Sequence, residues 1–211
     1  NNYGVILKGL GQYKEAEIYI RKAIKINPKD DKSYANLGGI FKELSKNKEA
    51  ELYIRKAIEI NPKDSISYYN LGEILRDLGK LQEAELSTRK AIELNPNFIE
   101  AYSNLGIILR DLGKLQEAEL STRKAIELNP NFIEAYSNLG IILRDLGKLQ
   151  EAELSTRKAI ELNPNLIEAY SNLGNILRDL GNFQESKFCA EKVMSLRSWS
   201  ISGSYSFNYD N

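Results

Sequence analysis

The sequence predicts an all-α fold, a solenoid of antiparallel helix pairs. Three observations carry this reading. Asn-Pro recurs at Asn27-Pro28, Asn61-Pro62, Asn95-Pro96, Asn129-Pro130 and Asn163-Pro164, 34 residues apart each time. Between these steps the apolar residues keep helical spacing in two runs parted by a glycine. Residues 133–166 then repeat residues 99–132 with a single change, Phe132 to Leu166. A fixed period of this length marks a repeat architecture, in which each unit buries its apolar face against the next.

Residues 1–30 form a partial first repeat, entered near its fifth position. The first residue is not Met, so the chain is expected to begin inside a longer reading frame. Residues 31–64, 65–98, 99–132 and 133–166 are four complete repeats. In 99–132, Ala101, Leu105, Ile108, Leu109 and Leu112 make one apolar stripe, and Leu115, Ala118, Ala125 and Leu128 make a second. Gly113 parts the two helices. Pro130 stops the second, because it has no N–H to give and its ring clashes with the preceding turn. Asn97 followed by Glu100 predicts a capping box for the next helix, repeated at Asn131/Glu134 and Asn165/Glu168. Ser45 and Asn47 leave the common pattern, so the turn of that repeat is expected to differ. Residues 167–197 are a degenerate sixth repeat, with Ser186 and Val193 in place of alanines and no closing proline, as suits a capping unit. In the tail, 198–211, Trp199, Ile201, Tyr205, Phe207 and Tyr209 alternate with polar residues, a period of two that argues for a strand. Three readings stay open there: the first strand of a following domain, a mobile Ser-rich terminus, or a cap on the last helix.

Composition narrows the function. The chain has 29 Lys plus Arg against 29 Asp plus Glu, so the basic excess typical of nucleic-acid binders is missing. A mild basic tilt in residues 1–64 reads as solvated surface. No apolar run approaches a membrane span, and the N-terminal residues lack the pattern of a signal peptide. There is no histidine, which removes the commonest general base and metal ligand. The single cysteine, Cys189, excludes a disulfide within the chain and suits a reducing, cytoplasmic setting.

The pattern resembles the tetratricopeptide repeat. In 99–132 the family's marks are Tyr102, Leu105-Gly106, Gly113, Ala118, Ala125 and Pro130, and they recur over residues 1–198. Gly106 and Ala118 are small where the two helices of a pair approach closely, and a larger side chain there would overpack the contact. Position 24, aromatic in many members, is Thr88, Thr122 and Thr156, with Ile20 and Ile54 earlier. That departure predicts a thinner apolar layer in the middle repeats. The resemblance implies a right-handed superhelix in which the first helices line a concave groove through positions 2, 5, 6, 9, 12 and 13.

Position 6 is Asn in every copy: Asn2, Asn36, Asn70, Asn104, Asn138 and Asn172. An amide both donates and accepts, so a row of them can hold a peptide backbone whatever its side chains. A similar row lines the repeat domain of O-linked N-acetylglucosamine transferase, which this phrasing also resembles. The alternative is that Asn serves helix packing or hydration. Tyr69, Ile107 and Ile141 would add side-chain pockets. Position 12 supplies Arg76, Arg110, Arg144 and Arg178, and position 13 supplies Asp77, Asp111, Asp145 and Asp179. These rows read either as ion pairs between neighbouring repeats or as an Arg row that recognises acidic or carbonyl groups. The family's clamp for a chain-terminal carboxylate is unexpected here, because position 5 is Ala35, Tyr69, Ser103, Ser137 and Ser171 rather than Lys.

No catalytic or metal motif emerges, and no cofactor is implied. Gly106 to Gly113-Lys114 has the wrong spacing for a phosphate loop, and Leu115 stands where Ser or Thr would bind Mg²⁺. Cys189 occupies the register of Ser155 and Tyr53 and has no histidine to activate it. The expected function is a scaffold that binds a protein or an extended peptide. The alternative is the substrate-docking arm of a larger enzyme, as in glycosyltransferases and other bacterial multidomain proteins with such repeats. Self-association through the repeat ends is a third reading.

Overall fold

The computed structural model describes the backbone of residues 2–205 and the side chains of residues 2–198. Among these residues every regular element is a helix. Two compact units divide the chain, residues 1–112 and residues 113–211.

The first unit holds α1 (Asn2–Gly9), α2 (Tyr13–Ile26), α3 (Asp31–Glu43), α4 (Asn47–Ile60), α5 (Ser65–Asp77), α6 (Leu81–Leu94) and α7 (Ile99–Asp111). The second holds α8 (Leu115–Leu128), α9 (Ile133–Asp145), α10 (Leu149–Leu162), α11 (Ile167–Asp179) and α12 (Phe183–Tyr205). In each unit every helix packs on its neighbours in the chain. Alternate first helices also touch, α3 on α5, α5 on α7 and α9 on α11. Both units are therefore stacks of helical pairs.

Each turn inside a pair follows one scheme. At α5 the Gly79 N–H donates to Arg76 O at 2.9 Å and the Lys80 N–H to Leu75 O at 2.8 Å, which closes the helix end with a left-handed residue. Gly79, Gly113, Gly147 and Gly181 take that conformation with φ between 73° and 82°. The turn at Ser45 was expected to differ and does not. Ser45 adopts φ 57°, with the matching bonds to Lys42 O at 2.9 Å and from Lys46 to Phe41 O at 2.8 Å. Packing on both sides fixes the turn, so serine is forced into a region that costs a Cβ-bearing residue roughly 1–2 kcal/mol.

The Asn-Pro steps stop the second helices in two ways. Proline cannot continue the ladder. The asparagine turns extended, and its side-chain oxygen accepts the N–H two residues on: Lys29, Lys63, Asn97, Asn131 and Asn165, at 3.0–3.3 Å. This corrects the expected capping boxes. Helices α7, α9 and α11 start after Phe98, Phe132 and Leu166, which make no side-chain cap. Asn97, Asn131 and Asn165 stand one residue too early to reach the first-turn amides. Asp64 does cap α5, accepting from Ile66 at 3.3 Å and Ser67 at 3.1 Å.

The sixth repeat has no proline, and α12 runs on to Tyr205. Residues 198–205 are helical where the alternation predicts a strand, because nothing stops a helix already under way. The rest of that expected strand, 206–211, lies outside the described residues.

The cores sit between the helix layers. Leu37, Ile40, Phe41, Leu71, Ile74 and Leu75 anchor the first unit, and Leu139, Leu143, Ile176 and Leu177 the second. Burial of each large side chain contributes roughly 1.5–3 kcal/mol. The threonines at position 24 take the core slots that Ile20 and Ile54 fill in the first two repeats. Thr88, Thr122 and Thr156 are fully buried, and each hydroxyl donates to the carbonyl four residues back, at 2.8–2.9 Å.

Candidate functional site

The first helices present the expected position-6 row at one register. Asn36, Asn70 and Asn104 of the first unit and Asn138 and Asn172 of the second are all half-buried. Part of their bonding capacity binds repeat to repeat. Asn172 donates from Nδ2 to the hydroxyl of Ser137, one repeat earlier, at 3.3 Å. The register of Ser137 is filled by Tyr69 before Asn104, and Tyr69 packs its ring on Phe98 at 5.1 Å. Asn104 Nδ2 is buried with no hydrogen-bond partner. The contrast has a chemical cause, since the hydroxyl that Ser137 offers at this register is replaced by a ring.

The expected side-chain pockets are uneven. Ile107 is only 9% exposed, whereas Ile141 at the same register is half-buried. Ile107 therefore offers a ligand little area.

Two of the four arginines reach the neighbouring repeat. Arg76 Nε donates to Asp111 of the next repeat at 2.8 Å, and Arg144 Nε to Asp179 at 2.5 Å. Lys42 plays the same part toward Glu73 at 2.8 Å. Arg110 lies 3.7 Å from its own neighbour Asp111, and Arg178 pairs with Asn175. The hydrogen bond from Arg144 holds the Asp179 carboxyl below its ordinary range. Water and salt screen side chains this exposed, so each pair contributes little to stability. Of the two readings of these rows, the inter-repeat pairs describe Arg76 and Arg144.

A second ladder runs along the second helices, and sequence reasoning missed it. Arg123 donates to Glu119 in its own helix at 2.9 Å and to Glu151 of the next repeat at 2.7 Å, while Lys148 reaches back to Glu119 at 2.7 Å. Arg55, Glu51, Glu83 and Lys80 repeat this in the first unit. Burial is the largest single influence on the Glu119 carboxyl and by itself would raise its pKa. The bonds and charges of Lys148 and Arg123 outweigh it, so the net shift is downward. The signal was present: Arg and Glu 28 residues apart from each of the first five copies to the next.

The second-helix side also holds clefts in the second unit. One of about 500 Å³ opens between α8 and α10 over α9, beside Tyr136, Leu139, Leu143, Leu154 and Ser155. Another of about 370 Å³ lies between α10 and α12 over α11, beside Tyr170, Leu173, Phe188 and Cys189. Cys189 is buried, and that burial, partly offset by Arg157, raises its pKa, so the thiol is not activated. Among the described residues no cluster of three or more His, Cys, Asp or Glu could hold a metal, and no helix is long and apolar enough to cross a membrane.

Comparison with known proteins agrees with the architecture. Residues 65–98, 99–132 and 133–166 match one family profile described as tetratricopeptide repeat. Residues 1–30 and 31–64 match a second profile so described, and residues 156–188 a third. No curated protein matches. Among solved structures, PilW, a widely conserved type IV pilus biogenesis factor, superposes with a TM-score of 0.85 at 22% identity, covering 92% of this chain and 90% of that one. The pilF protein of Pseudomonas aeruginosa gives 0.80 at 18% identity, covering 92% and 89%. YrrB, described as a TPR protein with an unusual peptide-binding site, gives 0.63 at 24% identity, covering 85% and 92%. At these identities the likeness establishes a shared fold. With its repeats matched in register and its helices paired as that fold requires, the chain belongs to the tetratricopeptide-repeat family.

Proposed function

We propose that this chain is a protein-interaction scaffold that holds an extended peptide against the first-helix face of its repeats. The observation that carries the reading is the row of half-buried amides at one register, Asn36, Asn70 and Asn104 in one unit and Asn138 and Asn172 in the other. Amides one repeat apart can bond backbone groups at intervals along an extended peptide without reading its side chains. The peptide-binding site ascribed to YrrB, a protein of the same fold, supports peptide binding in general.

Magnitudes define what such a row can do. Three neutral hydrogen bonds give about 1.5–4.5 kcal/mol. Ordering a flexible peptide costs about 2–5 kcal/mol. The row alone therefore gives weak, sequence-tolerant binding, and side chains beside it, Tyr69 and Ile141 among them, supply the remainder. Arg76 and Arg144 serve mainly to join repeats.

The test begins with peptides selected from a random library against the full chain. Asn70→Ala with Asn104→Ala should weaken the selected peptides roughly 5- to 150-fold, the loss of two hydrogen bonds, with no loss of helical signal. An unchanged affinity would sink the amide-row reading.

A further inference from the structure

The cleft between α8 and α10 has a counterpart three repeats earlier, and there the chain fills it with its own side chain. In the first unit Tyr53 lies over Phe41, ring centres 5.4 Å apart and nearly parallel, and beside Tyr34 at 6.5 Å. Arg21 donates from Nη1 to the Tyr53 hydroxyl at 2.9 Å while its Nε keeps Glu17 at 2.8 Å. At the matching registers of the second unit stand Ser155 for Tyr53, Leu143 for Phe41, Tyr136 for Tyr34 and Arg123 for Arg21. Two rings are replaced by smaller side chains, and the result is the space of about 500 Å³. The Ser155 hydroxyl does not reach into it, because it donates to Tyr136 O at 3.0 Å.

We propose that this cleft docks an aromatic side chain, a tyrosine, from a partner protein. The first unit displays the bound geometry in advance. The incoming ring takes the place of the Tyr53 ring, over Leu143 and against Tyr136 and Leu139. Its hydroxyl accepts a hydrogen bond from Arg123, as the Tyr53 hydroxyl does from Arg21. Arg123 can supply it at little cost. It keeps Glu119 and releases Glu151, whose side chain is 54% exposed and returns to water. The neighbouring surface argues for a polypeptide rather than a free phenol. Leu154, which lines the cleft, is 70% exposed and extends its apolar surface beyond what one ring needs. This site lies on the second helices and is independent of the amide row.

The full chain, isotope-labelled, is titrated by NMR with acetyl-Leu-Gly-Tyr-Gly-Leu-amide, with the same peptide carrying Ala for Tyr, and with p-cresol. The tyrosine peptide should give saturable shifts at Tyr136, Leu154 and Ser155, the alanine peptide should not, and p-cresol should bind more weakly than the tyrosine peptide. Ser155→Tyr, which supplies the ring from within, should weaken the peptide by about tenfold or more, as filling an anchor pocket does. Leu154→Ala changes only an exposed side chain and should weaken it severalfold even where Ser155→Tyr perturbs the fold. Equal shifts from the alanine peptide, or undiminished binding in both variants, overturns the site. Binding of p-cresol as tight as that of the tyrosine peptide overturns the assignment to a partner protein.

Discussion

Gly140→Ala probes the contact on which the paired helices depend. Gly140 lies on α9 where it crosses α10. A Cβ there would fall in the space of Thr156 Oγ1 and 3.4 Å from both Ala152 O and Thr156 Cβ. Thr156 is fully buried, and its hydroxyl donates to Ala152 O at 2.8 Å. Helix propensity alone would make alanine about 1 kcal/mol better than glycine. Against this, overpacking costs about 1–3 kcal/mol. Turning Thr156 away from the new methyl would strand a buried hydroxyl, for another 1–3 kcal/mol or so. The balance is a loss of about 1–5 kcal/mol, read as a lower urea midpoint by circular dichroism. Thr156→Ala in the same chain removes the colliding oxygen and should recover much of the loss, with a coupling of about 1 kcal/mol or more in the double-mutant cycle. A Gly140→Ala protein as stable as the parent, or more so, would show that the helices part freely at this point and would refute the close-approach argument.

Four further outcomes follow from the same geometry. Ser45→Gly relieves a left-handed Cβ and should raise stability by about 0.5–1 kcal/mol after the entropy cost of glycine, measured by thermal unfolding; a loss would mean that the serine side chain stabilises its turn. Asn104→Ala removes a buried amide nitrogen that has no partner and should cost less than Asn172→Ala, which breaks the bond to Ser137, in parallel urea titrations. Glu119→Gln should destabilise at neutral pH. Because folding lowers the pKa of this carboxyl, its contribution exists above the unfolded value and fades as pH falls through the folded one, so the deficit should shrink below about pH 4; a deficit equal at both pH values would show that the charge is not its source. Cys189, buried and raised in pKa, should react with iodoacetamide far more slowly than a free thiol until the protein is unfolded.

Much of the fold was legible because its determinants are local. Glycine at the turns, proline after the second helices and small residues at the crossings act over a few residues, and each was read at the right place. The errors arose where a local signal met a stronger neighbour. Asn97 has the chemistry of a cap, but Asn95 and Pro96 set the preceding turn, and the helix begins after Phe98. The alternation from Trp199 suggests a strand, but no proline separates it from α12. Ser45 has the wrong side chain for its turn, yet the packed helices on either side hold it there. The rows on the first helices could be located from their period and pairing between the Arg and Asp rows could be anticipated, but the partner of the amides could not. Arg76 meets Asp111 and Asn172 meets Ser137 only because adjacent repeats stack in one particular register.

That register explains what repetition does for this chain. An Arg that pairs forward with the Asp of the next copy, and an Arg–Glu–Lys ladder that does the same on the second helices, make a repeat complementary to its own duplicate. Copies so joined can multiply without any new interface having to arise. The charged positions of these ladders recur from repeat to repeat, whereas other registers differ. Position 23 changes from Tyr53 to Ser155 to Cys189, position 11 from Phe41 to Leu143, and position 5 from Ala35 to Tyr69 to Ser137. Two of these three registers line the second-helix clefts and the third adjoins the amide row. In a molecule of nearly identical parts, recognition of one partner rather than another has to reside at such positions, since the interlocked ones read alike from one repeat to the next.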